Sequence, residues 1–548
     1  MAKGSHRIFT LFSIVIGLAT MAGAQSFRVQ CPASTITHPI AANAEPAYIG
    51  STVQSLGPNG YLTPTSNVNG AVKCQQISGG DGYSTMGDGT QTYMFSFGPL
   101  SGLADIGNGL PGTQFPNVFN VTAAAWATAN PGQPNSLQPG DPATTDQASD
   151  APYSAGTPGL FTYNGAVGLA PDSFSENVDV GNPLINGHVD PRPIIDVGVM
   201  NGNIPAPLMA IDEDDEFFLT LTNVGMIMRP DLFEQHTVHF HGYPNASSFY
   251  DGVPDASVAI NIGGSFTYYY MAPDAGTYFW HCHITPPEHL QMGMVGQIYV
   301  RPRQNRVPST TTLYQGLVQQ QSDLRTACTK ASSTVVATDI LCTNPLPAVN
   351  TGVLGGGKYA YNDGDGSTYY DVEYPVQIHG FDPNFHFVGM TFNPEGFTDM
   401  KDKYFLLNGR SYPDTVTPGP LATQSVDGSM HCSQPLPAII NITAGQKALL
   451  RISDLDVTEF QTLASLGIPM KVIGYNAKLL RDQEGNNLYY NTNSITLGGG
   501  ESLDVILDAS DTTKYKKGQV FYLYTPNLDH LANDAENFGG LMTEVHIN

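Results

Sequence analysis

Positive charge is scarce in this sequence. Its 23 Lys and Arg residues stand against 48 Asp and Glu, a net charge of −25, and no Lys or Arg occurs between Lys73 and Arg192. A surface of that sign repels polyanions, which argues against nucleic acid as a partner. Long apolar runs are equally scarce. The one near the start, IFTLFSIVIGLATMAGA, follows Lys3 and Arg7 and ends in Ala22-Gly23-Ala24. It is shorter than the ~20 apolar residues of a membrane span and closes on the small-x-small pattern that a signal peptidase cuts. Residues 1–24 therefore read as a signal peptide with Gln25 as the mature start, no later segment qualifies as a membrane span, and a secreted or periplasmic location is expected.

Cysteine is sparse too, with six in the chain. Their use fits an oxidising compartment. Cys282 lies among histidines and is set aside as a thiolate; Cys31 with Cys74 and Cys328 with Cys342 are plausible disulfides, and Cys432 has no obvious partner. Spacing alone does not fix the connectivity.

What the sequence has in quantity is glycine (58), proline (40) and aromatics (10%). That mixture suits many short strands joined by turns, and 548 residues exceed one hydrophobic core, so an all-β chain of two or three domains is expected. Residues 25–90 read as an irregular N-terminal extension, and Tyr93–Phe97 is the first convincing strand. A first domain over 91–302 carries a long insertion at about 98–190, and a linker over 303–350 holds one helix near Thr311–Arg325. Short strand-like runs then recur through 351–548, which is the pattern of a second sandwich.

The chemistry concentrates between His236 and Met294, where HTVHFHG and FWHCHITPPEHLQMGM hold six of the fourteen histidines around one cysteine. Side chains alternate faces along a strand. His239 and His241 therefore share a face and His236 takes the other; His281 and His283 share a face and Cys282 takes the other. His236 and Cys282, completed by His289 and a methionine, give the two imidazoles, thiolate and weak axial thioether of a blue (type 1) copper site. Met294, next to Gly293 at the start of a strand, is preferred to Met292 for the axial place. The other face offers His239, His241, His281 and His283, a set suited to copper that binds a small oxidant. A zinc site could use any three of these residues, but this number of ligands in this order and parity favours copper. His379 and His386, the other close pair, lack a thiolate or strand-pair context and read as structural.

These motifs resemble the multicopper oxidases of the cupredoxin superfamily, a family that includes laccases, metal oxidases and, more distantly, copper nitrite reductases. The resemblance is strong over about 194–302 and continues weakly through YFLLNGRSYP, PAIINITAGQKALLRISD, GIPMKVIGYN and ITLGGGESLDVIL. It implies two cupredoxin-like Greek-key β-sandwich domains, with His236, Cys282, His289 and Met294 as type 1 ligands and catalytic residues. His239 resembles the type 2 position, and His241, His281 and His283 resemble positions of the type 2/type 3 cluster. A phenolic or metal-ion reductant and oxygen as acceptor follow from the same likeness.

Two departures stand out. Pro286-Pro287 make the Cys282–His289 loop two residues longer than the family's usual one, and Thr525, Pro526 and Asn527 occupy the place of a second His-Cys-His group. The second domain is thus expected to lack copper ligands. A homo-oligomer could complete the cluster; a type 1 electron-transfer protein without an oxygen site is the alternative. A nitrite-reductase-like enzyme fits the His236-to-His241 spacing, but that family has an acidic residue where His239 stands and no ligand at His283.

Overall fold

In the computed structural model of the chain, the described residues are 29–120 (apart from 59 and 61), 170–171, 189–190, 202–318 (apart from 227, 233, 244–246 and 273), 345–390, 396–424 and 430–548. Runs rich in aromatic and β-branched residues form the strands, as in Glu216–Gly225 (EFFLTLTNVG) and Ser265–Met271 (SFTYYYM). The first sandwich contains β1 (Val72–Thr85), β2 (Gln91–Pro99), β3 (Met209–Asp212), β4 (Glu216–Gly225), β5 (His239–His241), β6 (Ser265–Met271), β7 (Gly276–His281), helix α1 (Pro286–Gln291) and β8 (Val295–Arg301). One sheet has the order β6-β4-β1-β2 and the other β3-β8-β7-β5.

The second sandwich repeats this plan. Its elements are β9 (Val372–Phe381), α2 (Pro383–Met390), β10 (Tyr404–Leu407), β11 (Ile440–Ile442), β12 (Lys447–Asp454), β13 (Gln461–Leu466), β14 (Met470–Tyr475), β15 (Ser494–Leu497), β16 (Ser502–Asp508), β17 (Val520–Tyr524) and β18 (Met542–Ile547). Within its sheets β16-β12-β9-β10 and β11-β18-β17-β13 follow the orders of the first sandwich. Even the parallel pairs match: β1 with β4 and β3 with β8 in the first, β9 with β12 and β11 with β18 in the second. The fold is all-β and cupredoxin-like, with one core around Ile77, Phe97, Leu219 and Trp280 and another around Ile378, Leu450, Val505 and Leu523.

The expectation of an irregular extension over 25–90 fails at β1, which lies in the middle of a sheet. Its sequence, VKCQQISGGDGYST, lacks alternation because both faces are covered: Gln75, Gln76, Ser78, Asp81 and Ser84 are buried alongside Ile77. A Cβ on Gly79 would stand 2.5 Å from the His236 ring, so the strand-weakening glycine is required there. Cys31 and Cys74 form a disulfide that ties the N-terminal segment to β1.

Of the insertion at 98–190, the described part holds two short helices, Leu103–Gly107 and Pro116–Phe119, and most of the remainder lies outside the described residues. Cys328 and Cys342 also lie outside them. The helix expected near Thr311–Arg325 is Leu313–Leu317 within the described part. The start of the expected linker is no exposed tether, because Arg303 is buried and bonds to Asp214 at 2.6 Å.

The two sandwiches meet through sheet β3-β8-β7-β5 of the first and β16-β12-β9-β10 of the second. Gln297 donates to the Arg451 carbonyl at 2.9 Å and to Ser453 Oγ at 2.8 Å, while Thr277 donates to Asp504 at 2.7 Å. Glu373 of the second sandwich lies 2.7 Å from Arg301 of the first and 2.9 Å from Arg451. Burial opposes the charge of Glu373, but the two guanidinium groups hold its carboxyl down at about 2.

That depressed value stabilises the folded state fully above the ordinary carboxylate range, and the contribution disappears as pH falls toward 2. Glu373→Gln should therefore cost about 3 kcal/mol near neutrality, with the gap to the parent closing as pH approaches 2. Denaturant unfolding across pH checks this; a gap independent of pH would sink the assignment.

Candidate copper centre

His236 precedes β5 and is pinned by a backbone bridge to Ile260, while Cys282 follows β7 and donates its amide to the Met294 carbonyl at 3.1 Å. His289 comes from α1, whose first turn holds Pro286-Pro287. The ligand atoms of His236, Cys282 and His289 lie within 4.8 Å of one another, all buried. The Thr237 amide faces Cys282 Sγ at 3.5 Å, and His289 Nδ1 is 3.3 Å from the same sulfur.

Met294 is the thioether beside this group. Its methyl carbon and the His236 ring flank the same point above Gly79, whereas Met292 reaches toward Gly389 on α2. Cys282 and Met294 belong to the first core, so this group lies between the sheets and out of reach of water.

Electrostatics favour a thiolate here. Burial raises the Cys282 thiol, but the neighbouring His289 and His236 imidazoles carry it well below its ordinary range. His289 is pushed up to about 9: burial opposes this, but the Cys282 thiolate and Glu234 prevail. His236 is lowered by burial, and neither of its ring nitrogens has a protein hydrogen-bond partner. A dry cage of sulfur and imidazole with orphaned nitrogens fits a soft transition-metal ion such as copper.

The opposite face of β5 and β7 presents the other histidines. His239, His241 and His281 bring one nitrogen each within 4.8 Å of the others, and the His283 ring stands 5.1 Å from that of His239, next to this trio but not in it. A carbonyl can only accept, so the contacts of His239 Nδ1 with Asp251 O and His281 Nδ1 with Cys282 O, both 2.7 Å, are N–H donations. They leave each Nε2 with its lone pair free, as metal-binding imidazoles are usually held. Burial lowers His281 to about 3, with neighbouring imidazoles adding to the effect, so its ring stays neutral.

A cleft of about 520 Å³ opens over these rings, and its far wall is the second sandwich. That wall consists of Asp456–Phe460, after β12, and Gly498–Gly500, before β16. A Cβ at Gly500 would come within 3.1 Å of the His241 ring and one at Gly499 within 2.0 Å of the Asp456 carbonyl, so close approach requires the glycines. Thr525, Pro526 and Asn527 do not line the cleft, and among its lining residues no imidazole faces the trio from the second sandwich. A three-copper cluster does not fit that donor set; one ion on three imidazoles does.

This wall left no signal in the sequence beyond the GGG of ITLGGGE. His379 and His386 lie outside both groups, with Nδ1 of His379 on the Leu455 carbonyl and Nε2 of His386 on the Gln291 carbonyl. Cys282 is a free, buried cysteine.

Comparisons with known proteins agree with this geometry over part of the chain. Residues 187–305 match the family model described as multicopper oxidase. Laccase abr2 of Aspergillus fumigatus is 34% identical over 109 residues, covering 20% of this chain and 17% of that enzyme. Multicopper oxidase MmcO of Mycobacterium tuberculosis is 34% identical over 92 residues, 17% of each chain. A copper-containing nitrite reductase of Rhizobium meliloti is 35% identical over 109 residues, 19% of this chain and 26% of the reductase. The matches thus span well under two thirds of these relatives. The segment 187–305 is a multicopper oxidase domain of the cupredoxin superfamily.

Proposed function

We propose that the chain is an exported copper-dependent oxidoreductase of the multicopper oxidase type. A phenolic or metal-ion reductant gives up single electrons at the site of His236, Cys282, His289 and Met294, and the histidine-lined cleft passes them to oxygen. Copper bound at the first site supplies a centre that changes by one electron, and the chain does the rest.

The observation that carries this reading is the position of Cys282 between His281 and His283. The thiolate faces the core, its backbone carbonyl accepts from His281 Nδ1 at 2.7 Å, and His281 faces the cleft. An electron leaving the sulfur crosses only the cysteine's own bonds and this hydrogen bond. Glu234 lies 3.6 Å from His289 Nε2 and is partly exposed, so it links the buried imidazole to the surface where a reductant arrives.

Export is supported by the N-terminal apolar run and by the Cys31–Cys74 disulfide. Among the described residues no helix is long and apolar enough to cross a membrane. A second reading, an electron-transfer protein without an oxygen site, draws on the cleft's lack of imidazoles from the second sandwich.

Two substitutions test the proposal. Cys282→Ser should abolish the intense visible thiolate-to-copper band of the copper-loaded protein and its oxygen uptake with a phenol or ferrous ion. If the band survives, the cysteine is not the ligand. Gly79→Ala, whose Cβ would collide with the His236 ring, should weaken copper binding at this site about tenfold or more while the chain still folds. Copper titration followed by the visible band reads this, and an unchanged affinity would remove Gly79 from the account.

A further inference from the structure

The wall that the second sandwich turns toward the trio is acidic. Asp456 and Glu459 line it, and Asp402 stands directly behind Asp456. The Oδ2 atoms of Asp402 and Asp456 converge on one point above Gly380, at 2.2 and 2.7 Å from where a Cβ would be. Burial and the neighbouring Asp456 raise the Asp402 carboxyl well above the ordinary carboxylate range, so Asp402 holds a proton there. The pair is held on all sides: Asp402 accepts from Gln291 at 3.0 Å and from the Thr458 hydroxyl, and Asp456 accepts from Gln461 at 2.7 Å and the Thr458 amide at 2.8 Å. Asp454, Glu459, His379 and Glu501 are the other titratable groups around it.

The second sandwich has no imidazoles to offer from its own version of the site. In register, Tyr524 pairs with Ala464 as His281 pairs with His239, and Leu466 follows where His241 would be.

We infer that the cleft takes a single copper ion on His239, His241 and His281, with an acid pair opposite it, so that the chain holds two redox ions and reduces dioxygen to hydrogen peroxide. This rests on the oxidoreductase reading above. Breaking the O–O bond to form water needs four electrons, and two ions store two. The balanced step is O2 + 2 e− + 2 H+ → H2O2: two O–H bonds form, the O–O bond survives, and two molecules of a one-electron reductant are each oxidised once. The proton held on Asp402 beside Asp456 is one of the two, and solvent entering the open cleft supplies the other and reprotonates Asp402.

The test uses the full chain reconstituted with copper and given a phenol, since ferrous ion would itself consume peroxide. Expected are two copper ions per chain by metal analysis, equal amounts of a type 1 and an ordinary mononuclear copper signal in spin resonance, and one peroxide for each oxygen consumed. Catalase should then return half of the oxygen. His241→Ala should lose one ion and the second signal yet keep the Cys282 band, which also reports that the chain has folded. Asp456→Asn should keep both ions and slow peroxide formation about tenfold or more.

A count of four ions, a spin-silent coupled pair, a count of one, or oxygen consumed without peroxide would each overturn the inference while leaving the Cys282 band in place. An unchanged rate in Asp456→Asn would remove the proton role of the pair. Absence of the band in the parent protein would instead overturn the underlying oxidoreductase reading.

Discussion

A strand turns its side chains to opposite faces at every residue, and the separation of the two candidate donor groups depends on that alternation at Cys282. Cys282 enters the core and its neighbours His281 and His283 face away from it, so one strand end serves two sites. A slip of one residue would exchange the thiolate for an imidazole. The structure guards against it by pairing β7 on both edges, His281 with Val295 of β8 and with His239 of β5. The Cys282 amide bond to Met294 extends the same register past the strand end and fixes the thioether at the same time.

The second sandwich carries other residues at the corresponding positions of the same framework. Thr525 donates its amide to Leu541 as Cys282 does to Met294, and Gln461 begins β13 where His236 precedes β5. One imidazole persists: His530 bonds Gln461 at 3.0 Å and stacks on Phe405 at 3.9 Å, much as His289 packs on Phe95. Hydrogen bonds and ring packing now satisfy polar groups that a metal would otherwise engage. The fold needs no ion to hold this end of the sandwich together.

The grouping of the candidate donors was legible because its information is local. Softness, spacing and parity within HTVHFHG and HCHITPPEHLQMGM separate the two faces without any knowledge of the rest of the chain. The duplicated sandwich was legible from short strands at regular spacing. Strand β1 was not, because a strand buried on both faces and broken by Gly79, Gly80 and Gly82 has neither alternation nor high strand propensity. The helical form of Pro286-Pro287 was not legible either, since prolines that punctuate loops also begin helices. The acidic wall was invisible, because Asp402 and Asp456 meet only after β10 and β12 join the same sheet.

The contact between the sandwiches explains how the second one is held so close to the histidines. Apolar faces can slide, but the hydrogen bonds of Gln297, Thr277 and Ser502 have direction, and the Glu373 ion pairs fix one end of the interface. With that angle set, the glycine loop can rest against His241 without a side chain between them. The same angle leaves the cleft open at Phe460, which is largely exposed at its rim. A rigid polar interface thus does for the second site what the hydrophobic core does for the first. It holds the imidazoles against one defined wall, and it leaves one side of the cleft open to solvent.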